Sequence, residues 1–462
     1  SGAMLADLIR PDVAELIRNR NFNELREFLL ELPVPDLAEL LADSSPEDRA
    51  VLFRLLPREL AAETFEYLPF EAQEELLKGL GDEQVARVLD DVRPDDRTAF
   101  LEELPGQVTA RLLNLLSPSE RAVARSLLGY PEDSIGRLMT PDYVAVRQGW
   151  AMDQVLAHVR KFGSDSETLN VLYVVDEGGK LLDDVRIREV LLADADKRVG
   201  DLMDGEFVVL NATDDQETAV AAFRRYDRTA LPVVDSAGVL VGIVTVDDVL
   251  DVAEEEATED IQKLGGSEAL EEPYLAVGLS TLVRKRATWL IVLFLGEMLT
   301  ATAMAFFEAE IARAVVLALF VPLIISSGGN SGSQAATLII RALALGEVTL
   351  LDWWSIARRE VMAGVALGTI LGAIGFLRIA VWSAFSNVYG PHWLMIALTV
   401  AATLLGVVLW GTLVGSMFPL LLKKLGADPA TSSAPFVATL VDVTGLVIYF
   451  TVASFLLRGK LL

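Results

Sequence analysis

The stretch Pro435-Phe-Val-Ala-Thr-Leu-Val-Asp442-Val-Thr-Gly-Leu-Val-Ile-Tyr449 places one carboxylate inside an apolar run that continues to Leu457. A charged side chain near the middle of a membrane-spanning helix costs roughly 2.5–3.5 kcal/mol to insert. Asp442 therefore has to face protein, water or a cation. Two interpretations stay open, a buried acid tied to a neighbouring helix and an ion-conducting group. The second is favoured because the neighbouring residues are small or hydroxyl-bearing: Thr439, Thr444 and Gly445.

The charge of the chain is divided unevenly along its length. The 462 residues are 52% hydrophobic, yet the net charge is −27. Residues 274–462 contain 12 basic and 8 acidic side chains, whereas residues 1–273 contain 27 basic and 58 acidic ones, a net charge of −31. An acidic soluble part followed by a membrane part accounts for both observations.

Composition also excludes several functions. The chain has no Cys and only His158 and His392, so disulfides, thiolate metal sites and a zinc site are not expected. An intramembrane protease would need a His-Glu-x-x-His motif or a Ser–His pair, so no enzyme is expected. The acidic excess argues against nucleic acid and for cations as partners. Ser1-Gly-Ala3 before Met4 is interpreted as a cloning remnant (residues 1–4), with no signal peptide after it.

The N-terminal region, residues 5–130, predicts an all-α solenoid. Pro or Gly returns about every twelve residues, usually with an acid just after it, as at Pro94 and Asp95. Both are favoured at helix N-termini. Each unit is too short to bury its own apolar face, so neighbouring helices must stack.

Residues 137–254 change to alternating β and α patterns in two similar halves, 137–198 and 199–254. Leu172-Tyr-Val-Val-Asp176 in the first half corresponds to Leu231-Pro-Val-Val-Asp235 in the second. This repeat resembles a tandem of CBS domains, an α/β regulatory module. In such pairs a Thr or Ser with an Asp three residues later commonly holds the ribose of an adenine nucleotide, and Thr245 with Asp248 fits that pattern. The first half has Arg186, Arg188 and Glu189 there, so nucleotide binding is considered unlikely.

A connector helix is predicted over residues 255–283. Five carboxylates lie within seven residues from Glu254 to Asp260. A solvated charge run is the simple interpretation, and a cation-sensing linker beside the membrane is the favoured one.

The membrane domain, 284–462, contains five apolar runs long enough to span a bilayer, near 287–307, 312–342, 361–386, 393–422 and 434–457. Pro322 and Pro419 predict kinks in the second and fourth. The basic clusters of the loops all fall on the cytoplasmic side only if the five spans begin with the N-terminus inside. The acidic domains are therefore predicted to be cytoplasmic, and the protein is predicted to be a multi-pass plasma (inner) membrane protein.

The second run contains Gly328-Gly-Asn-Ser-Gly-Ser-Gln334. Polar groups at this depth are tolerated where they line water or pack on protein. Hydroxyl, amide and carbonyl oxygens are the ligands that Mg²⁺ and Ca²⁺ prefer. A packing motif is the alternative interpretation.

Taken together, a stacked-helix domain, a CBS pair, an acidic connector and five spans resemble the MgtE family of magnesium channels. The Gly328–Gln334 motif and the terminal Asp442-Val-Thr-Gly-Leu446 strengthen this resemblance. It implies a homodimer in membrane lipid, with Mg²⁺ as the ion and a pore on the two-fold axis. Pore-lining residues would be Gly328, Gly329, Asn330, Ala438 and Thr439, with Asp442 as the ion-binding group.

The resemblance also implies cytosolic Mg²⁺ sites. They would involve Asp95 and Glu63 in the helical domain, Glu217, Asp227, Asp248 and Asp251 in the CBS pair, and Glu256, Glu259 and Asp260 in the connector. The expected function is a Mg²⁺-selective uptake channel that cytosolic Mg²⁺ closes. The alternative is a CBS-regulated carrier that exchanges a divalent cation for Na⁺ or H⁺, for which Glu297 and Arg378 are the ionisable candidates within the spans.

Overall fold

The structure is a computed structural model, and it describes residues 11, 13–270, 274, 277–386 and 388–458. The expected cloning remnant at residues 1–4 lies outside the described residues. The chain divides into two compact units, Ser1–Glu254 and Glu255–Leu462, and each unit is considered by itself below.

The first half of the first unit is the predicted all-α domain. After helical residues 13–18, its helices follow one another at intervals of about twelve residues, and they pack mainly against the helix two positions further along. The helices are α1 (Phe22–Glu31), α2 (Val34–Ala42), α3 (Pro46–Leu55), α4 (Arg58–Glu66), α5 (Phe70–Gly79), α6 (Asp82–Asp91), α7 (Pro94–Glu102), α8 (Gly106–Leu115) and α9 (Pro118–Leu127).

A polar side chain recurs in this solenoid at every second helix. In α3, α5, α7 and α9, the side chain of the fourth residue donates to backbone carbonyl oxygens at the end of the preceding helix. These carbonyl groups have no hydrogen-bond partner inside their own helix. Arg97 is fully buried, donates to the Leu89 carbonyl oxygen at 3.0 Å and forms an ion pair with Glu120 at 2.8 Å. Arg49, Gln73 and Arg121 make the corresponding bonds. The repeat is therefore a 24-residue helix pair held by buried polar groups.

The second half of the first unit is a pair of similar α/β halves. A short α10 (Ile135–Leu138) leads into β1 (Ala145–Val146), α11 (Met152–Phe162), β2 (Val171–Val175), β3 (Leu181–Arg186) and α12 (Ile187–Leu192). The second half has β4 (Leu210–Asn211), α13 (Gln216–Tyr226), β5 (Ala230–Val234) and β6 (Leu240–Thr245). In each sheet the first strand is parallel to the second and the third is antiparallel to it. The two halves share a core that includes Tyr173 and Ile243. The predicted repeat is confirmed.

The helix α14 (Val246–Leu264) begins directly after β6 and runs past the boundary between the two units at Glu254. The second unit then contains five helices that are long and apolar enough to cross a membrane. They are the first span, α15 (Leu279–Phe306), the second, α17 (Val321–Ala344), the third, α18 (Trp353–Phe385), the fourth, α19 (Trp393–Lys424), and the fifth, α20 (Ala434–Leu457); a short α16 (Glu308–Arg313) follows the first.

The expected kink at Pro322 is wrong, because Pro322 occupies the first turn of α17. A proline there removes no intrahelical hydrogen bond and its fixed φ suits the helix. Pro419 does lie inside α19, which continues past it to Lys424.

Glycines allow the spans to pack backbone against backbone. A Cβ atom at Gly415 in the fourth span would overlap the carbonyl oxygen of Gly332 in the second, and one at Gly411 would lie 2.6 Å from the carbonyl oxygen of Gly328. In lipid the hydrophobic effect does not drive helices together, because the lipid tails are as apolar as the side chains. Close packing of this kind is therefore a main source of helix association. The third span uses Gly364, Gly368, Gly372 and Gly375 against the fourth in the same way.

We predict that Gly415→Ala destabilises the membrane domain, because backbone atoms of the second span must move to admit the methyl group. Gly406→Ala on the same helix is the matched control, since its Cβ would lie 3.5 Å from Ile448, an ordinary contact distance. The midpoint temperature of the detergent-solubilised protein, followed by size-exclusion chromatography after heating, should fall by several degrees for the first variant only. Equal midpoints for both variants would contradict the packing argument.

Candidate ion path and cytosolic acidic clusters

Asp442 lies eight residues into the fifth span and faces the second span. Its Oδ1 atom is 3.0 Å from the position that a Cβ atom would take at Gly329, and Ala438 Cβ is 3.3 Å from the same position. A larger residue at 329 would therefore meet the carboxylate. Among the described residues, no ion pair is recorded between Asp442 and a basic side chain.

The Asp442 side chain opens into a cavity of about 660 Å³ between the first and fifth spans. The cavity wall is mostly apolar and includes Leu290, Phe294 and Ala438. Its polar members are Asp442, Glu297 and Thr439, and the Thr439 hydroxyl donates to the Pro435 carbonyl oxygen at 3.0 Å. The carboxylates thus supply the anionic oxygen atoms of this cavity.

The residues predicted to line a pore fall into three environments. Ala438 and Thr439 line the cavity, and Gly329 lies against Asp442. Asn330 is exposed on the second span, where its amide donates to Ser326 Oγ at 3.3 Å. Gly328 instead lies in the contact with the fourth and fifth spans, where a Cβ would overlap Val407. The packing interpretation of the Gly328–Gln334 motif therefore applies to its first glycine.

In the first unit, the structure brings Asp95 of α7 near Asp248 of α14. Asp95 is only 7% exposed, and its Oδ1 atom has no hydrogen-bond partner among the described residues. The Thr245 hydroxyl donates to Asp248 Oδ2 at 2.7 Å and also to Asp247. A buried carboxylate oxygen without a donor is costly, so this cluster favours a proton or a cation.

Burial and mutual repulsion change the acidity of this cluster. Burial, followed by the charge of Asp248, raises the pKa of Asp95 well above its usual range, and burial likewise raises the pKa of Asp248. Burial, together with the charge of Glu66, raises the pKa of Asp96 to about 7. The pKa of Glu167 is also raised, chiefly by burial. With pKa values of about 7, the Asp96 and Asp248 carboxyl groups are therefore partly protonated near neutral pH.

Arg93 links the helical domain to the CBS pair beside this cluster. The Arg93 guanidinium donates to Glu167 Oε1 at 2.9 Å, and the Arg93 backbone N–H donates to Glu66 Oε1 at 2.9 Å. Because one guanidinium faces several carboxylates, the contact retains an excess of negative charge.

The other predicted sensor residues of the first unit lie apart from one another. Glu63 is exposed on α4, one turn before Glu66. Glu217 is in the first turn of α13 and Asp227 is its C-terminal cap, with φ of +52°, so the two are separated by about 15 Å of helix. Asp251 is exposed on α14, and burial and the charge of Asp247 raise its pKa.

The predicted connector residues lie together on one face of α14 at its C-terminal end. Burial and the charge of Asp428 raise the pKa of Asp260, to which Glu256 and Glu259 also contribute. Lys263 Nζ is 2.8 Å from Asp428 Oδ2 and also pairs with Glu259. Asp428 is in the loop before the fifth span, so this network ties the connector to that span.

Sequence analysis missed the carboxylates that surround the predicted ones. The clusters also contain Asp96, Glu167, Asp247 and Asp428. Asp96 and Asp247 could have been identified because they are adjacent in sequence to Asp95 and Asp248; Glu167 and Asp428 give no such signal. Within the described part of the chain, no group of three or more His, Cys, Asp or Glu residues is arranged to hold a metal ion.

Comparison with known proteins gives consistent matches along the chain. Family models match as a divalent cation transporter of the MgtE type over residues 321–452, as the MgtE intracellular N domain over 32–133 and as a CBS domain over 199–255. The magnesium transporter MgtE of Thermus thermophilus is 41% identical over 448 residues, covering 96% of this chain and 98% of that protein. The MgtE protein of Enterococcus faecalis is 32% identical, covering 96% of each.

Among solved structures, the cytosolic domain of the Mg²⁺ channel MgtE in complex with ATP is similar to 53% of this chain and 99% of its own, with 39% identity and a TM-score of 0.51. The soluble part of a magnesium transporter has 27% identity and the same TM-score, over 55% of this chain and 99% of its own.

We predict that lowering the pH from about 8 to about 5.5 without divalent cations stabilises the contact between α7 and α14. The folded-state pKa values of Asp95, Asp96 and Asp248 are raised, so the folded state binds more protons than the unfolded state and its stability falls as pH rises toward 7. Thermal unfolding of the full chain in EDTA, followed by circular dichroism, measures this. Asp96→Asn should reduce the pH dependence, whereas Glu83→Gln, an exposed acid on α6, should not. An unchanged pH dependence in Asp96→Asn would contradict the assignment.

Proposed function

Because this chain belongs to the MgtE family of magnesium transporters, we propose that it is a Mg²⁺-selective channel that admits the ion down its electrochemical gradient and closes when cytosolic Mg²⁺ binds. The protein is a multi-pass membrane transporter with cytoplasmic N-terminal and CBS domains, and it is not an enzyme. Magnesium is its transported substrate.

The observation that carries the channel proposal is the Asp442 carboxylate, which forms no ion pair among the described residues and lines the cavity between the first and fifth spans. Mg²⁺ loses its water reluctantly and usually keeps several water molecules in its coordination shell. A cavity of about 660 Å³ has room for a hydrated ion. A carboxylate that holds the ion through water also releases it readily, as conduction requires.

We further propose that two copies of the chain form the pore, with an Asp442 from each. Two carboxylates facing one axis would repel each other unless a cation or a proton lies between them. A divalent ion gains about 4.6 kcal/mol from a membrane potential of 100 mV, since each charge contributes about 2.3 kcal/mol. This driving force suffices for uptake without a coupled ion.

Closure by cytosolic Mg²⁺ follows from the acidic part of the chain that precedes the membrane domain. Residues 1–273 have a net charge of −31, and the Asp95–Asp248 cluster has a buried carboxylate oxygen without a donor. Mg²⁺ that binds such carboxylates in a compact state favours that state by its differential affinity. Changing the ratio of two states from 1:99 to 99:1 takes about 5.5 kcal/mol, so several cooperating sites are needed. Those sites would use the sensor residues named above: Glu63, Asp95, Glu217, Asp227, Asp248, Asp251, Glu256, Glu259 and Asp260.

The connector network supports a path from these sites to the pore. Lys263 on α14 pairs with Asp428, and Trp289 of the first span donates to Ser433 Oγ at 3.0 Å. Ser433 is the N-terminal cap of the fifth span, so a displacement of α14 would reach the span that contains Asp442.

Adenine nucleotide is the weaker candidate ligand of the cytosolic part. The similar structure solved with ATP supports a nucleotide site, and Thr245 with Asp248 has the residue types for a ribose. In this chain, however, the Thr245 hydroxyl is bonded to carboxylates and Asp95 lies nearby, which disfavours a triphosphate without a bridging cation. We therefore expect any ATP binding to require Mg²⁺.

We predict that Asp442→Ala and Asp442→Asn both abolish Mg²⁺ uptake by a strain that lacks other Mg²⁺ transporters. Each variant removes the negative charge that attracts the ion, and the Asn variant keeps the shape of the side chain. Glu308→Gln, at an exposed residue of α16, is the control and should transport normally. Preserved uptake in both Asp442 variants would remove this residue from the path, and dependence of uptake on a Na⁺ or H⁺ gradient would favour the exchanger.

We also predict that Mg²⁺ protects the cytosolic domains from limited proteolysis in the millimolar range. Bridging of carboxylates offsets their repulsion and stabilises the compact state. Asp95→Asn combined with Asp248→Asn should shift protection to higher Mg²⁺ concentration, whereas Glu83→Gln should leave it unchanged. Cleavage that is insensitive to Mg²⁺ in the unmodified chain would reject the sensing function.

A further inference from the structure

Glu297 is a second ionisable side chain in the first span that the pore described so far does not use. It lies in α15 and is exposed at the cavity between the first and fifth spans. No ion pair is recorded for it among the described residues, and the basic residue Arg378 of the third span lies over the Trp382 ring, 4.3 Å from its centroid. A carboxylate in lipid is costly, so Glu297 has to face water, protein or a cation.

Two contacts fix the first and fifth spans in parallel register. Trp289 Nε1 donates to Ser433 Oγ at 3.0 Å. Further along, a Cβ atom at Gly296 would lie 2.9 Å from Thr439 Cγ2, so the helices approach closely there. The chain advances by seven residues in the first span and by six in the fifth between these contacts. The two helices therefore run in the same direction at nearly equal depth.

This register places Glu297 and Asp442 in the same layer of the membrane. Glu297 is eight residues beyond Trp289, and Asp442 is nine beyond Ser433. With a rise of 1.5 Å per residue, Glu297 lies about 12 Å along its helix from Trp289, and Asp442 lies about 13.5 Å along its helix from Ser433. The difference is smaller than the length of either side chain, so neither carboxylate lies above the other along the path.

The two carboxylates also share one space. Both side chains line the same cavity of about 660 Å³. The remaining wall is nearly all apolar, which weakens screening and strengthens the effect of each charge on an ion between them. Two anionic groups in a common apolar space repel each other without a cation.

From this geometry, we propose that Glu297 is a specificity-determining residue of the ion path that favours divalent over monovalent cations. The inference rests on the proposed channel function with Asp442 as its ion-binding group. Each chain then presents two negative charges at one depth, so the two chains of the proposed pore present four where Asp442 alone would give two. Because Mg²⁺ keeps its waters, Glu297 acts through the water shell of the ion, beside Asp442.

This added charge predicts that removal of Glu297 affects selectivity more than folding. A divalent ion interacts twice as strongly as a monovalent ion with each carboxylate at the same distance. Neutralising one of two carboxylates therefore weakens Mg²⁺ binding more than Na⁺ or K⁺ binding. No hydrogen bond or ion pair of the described structure is lost with it.

The test is a comparison of Glu297→Gln, Glu297→Asp, Asp442→Asn and Glu308→Gln in the full chain reconstituted into liposomes. Uptake of Mg²⁺ and of Na⁺ is measured over a range of ion concentrations, with elution volume and thermal midpoint as folding controls. We expect Glu297→Gln to raise the half-saturating Mg²⁺ concentration about ten-fold or more and to increase Na⁺ uptake relative to Mg²⁺. Glu297→Asp should remain closer to the unmodified chain, and Glu308→Gln should match it.

The outcomes separate this inference from the channel proposal. If Asp442→Asn is inactive while Glu297→Gln transports like Glu308→Gln, the role of Glu297 is refuted and the Asp442 path stands. If Asp442→Asn transports normally, the proposed path fails, and the inference built on it fails too. A folded Glu297→Gln protein with weakened Mg²⁺ uptake and increased Na⁺ uptake supports the proposal.

Discussion

An unpaired carboxylate is costly wherever water is scarce, and the placement of acidic groups in both units of this protein follows from that cost. In the membrane domain, Asp442 pairs with no basic side chain of the described residues and opens into a cavity. In the first unit, Asp95 is buried with one oxygen atom unbonded beside other acids. Each site is stable only when a proton, water or a cation offsets the charge. A protein that transports Mg²⁺ needs sites of this kind.

The glycine contacts of the spans set the position of the membrane carboxylate. Gly328 and Gly332 let the second span approach the fourth to backbone contact, and Gly329 leaves room for Asp442 beside the same helix. The polar motif in the second span therefore has a double function, since its glycines pack and its Asn330 remains exposed. Packing glycines and an exposed polar side chain are combined within one helical turn.

The solenoid and the CBS pair provide the corresponding support in the first unit. Buried Arg97 and its equivalents satisfy the carbonyl groups at helix ends, so short helices that could not fold alone become a rigid stack. That stack presents Asp95 and Asp96 to α14, and Arg93 holds the contact through Glu167. Because one guanidinium faces an excess of carboxylates, protonation of these acids lowers the repulsion across the contact.

Much of this organisation could be predicted from the sequence. Local and periodic properties can be read directly from a sequence. Here they are the segregation of charge, the Pro or Gly that returns about every twelve residues, the repeated strand pattern at Leu172 and Leu231, and the five apolar runs. The unusual position of Asp442 in an apolar run also identified the most informative residue of the membrane domain. Local patterns fail at Pro322, because a proline in an apolar run does not reveal whether a helix begins there or bends.

Only the tertiary structure decided which distant residues meet. The approach of Asp95 to Asp248, the pairing of Lys263 with Asp428 and the equal depth of Glu297 and Asp442 each join segments more than 140 residues apart. Such contacts depend on helix register and packing, and composition does not specify either. The sequence alone therefore determined that acidic residues lie where charge is costly. The fold determined which of these acids share one space, because repulsion between carboxylates depends on the distance between them in three dimensions.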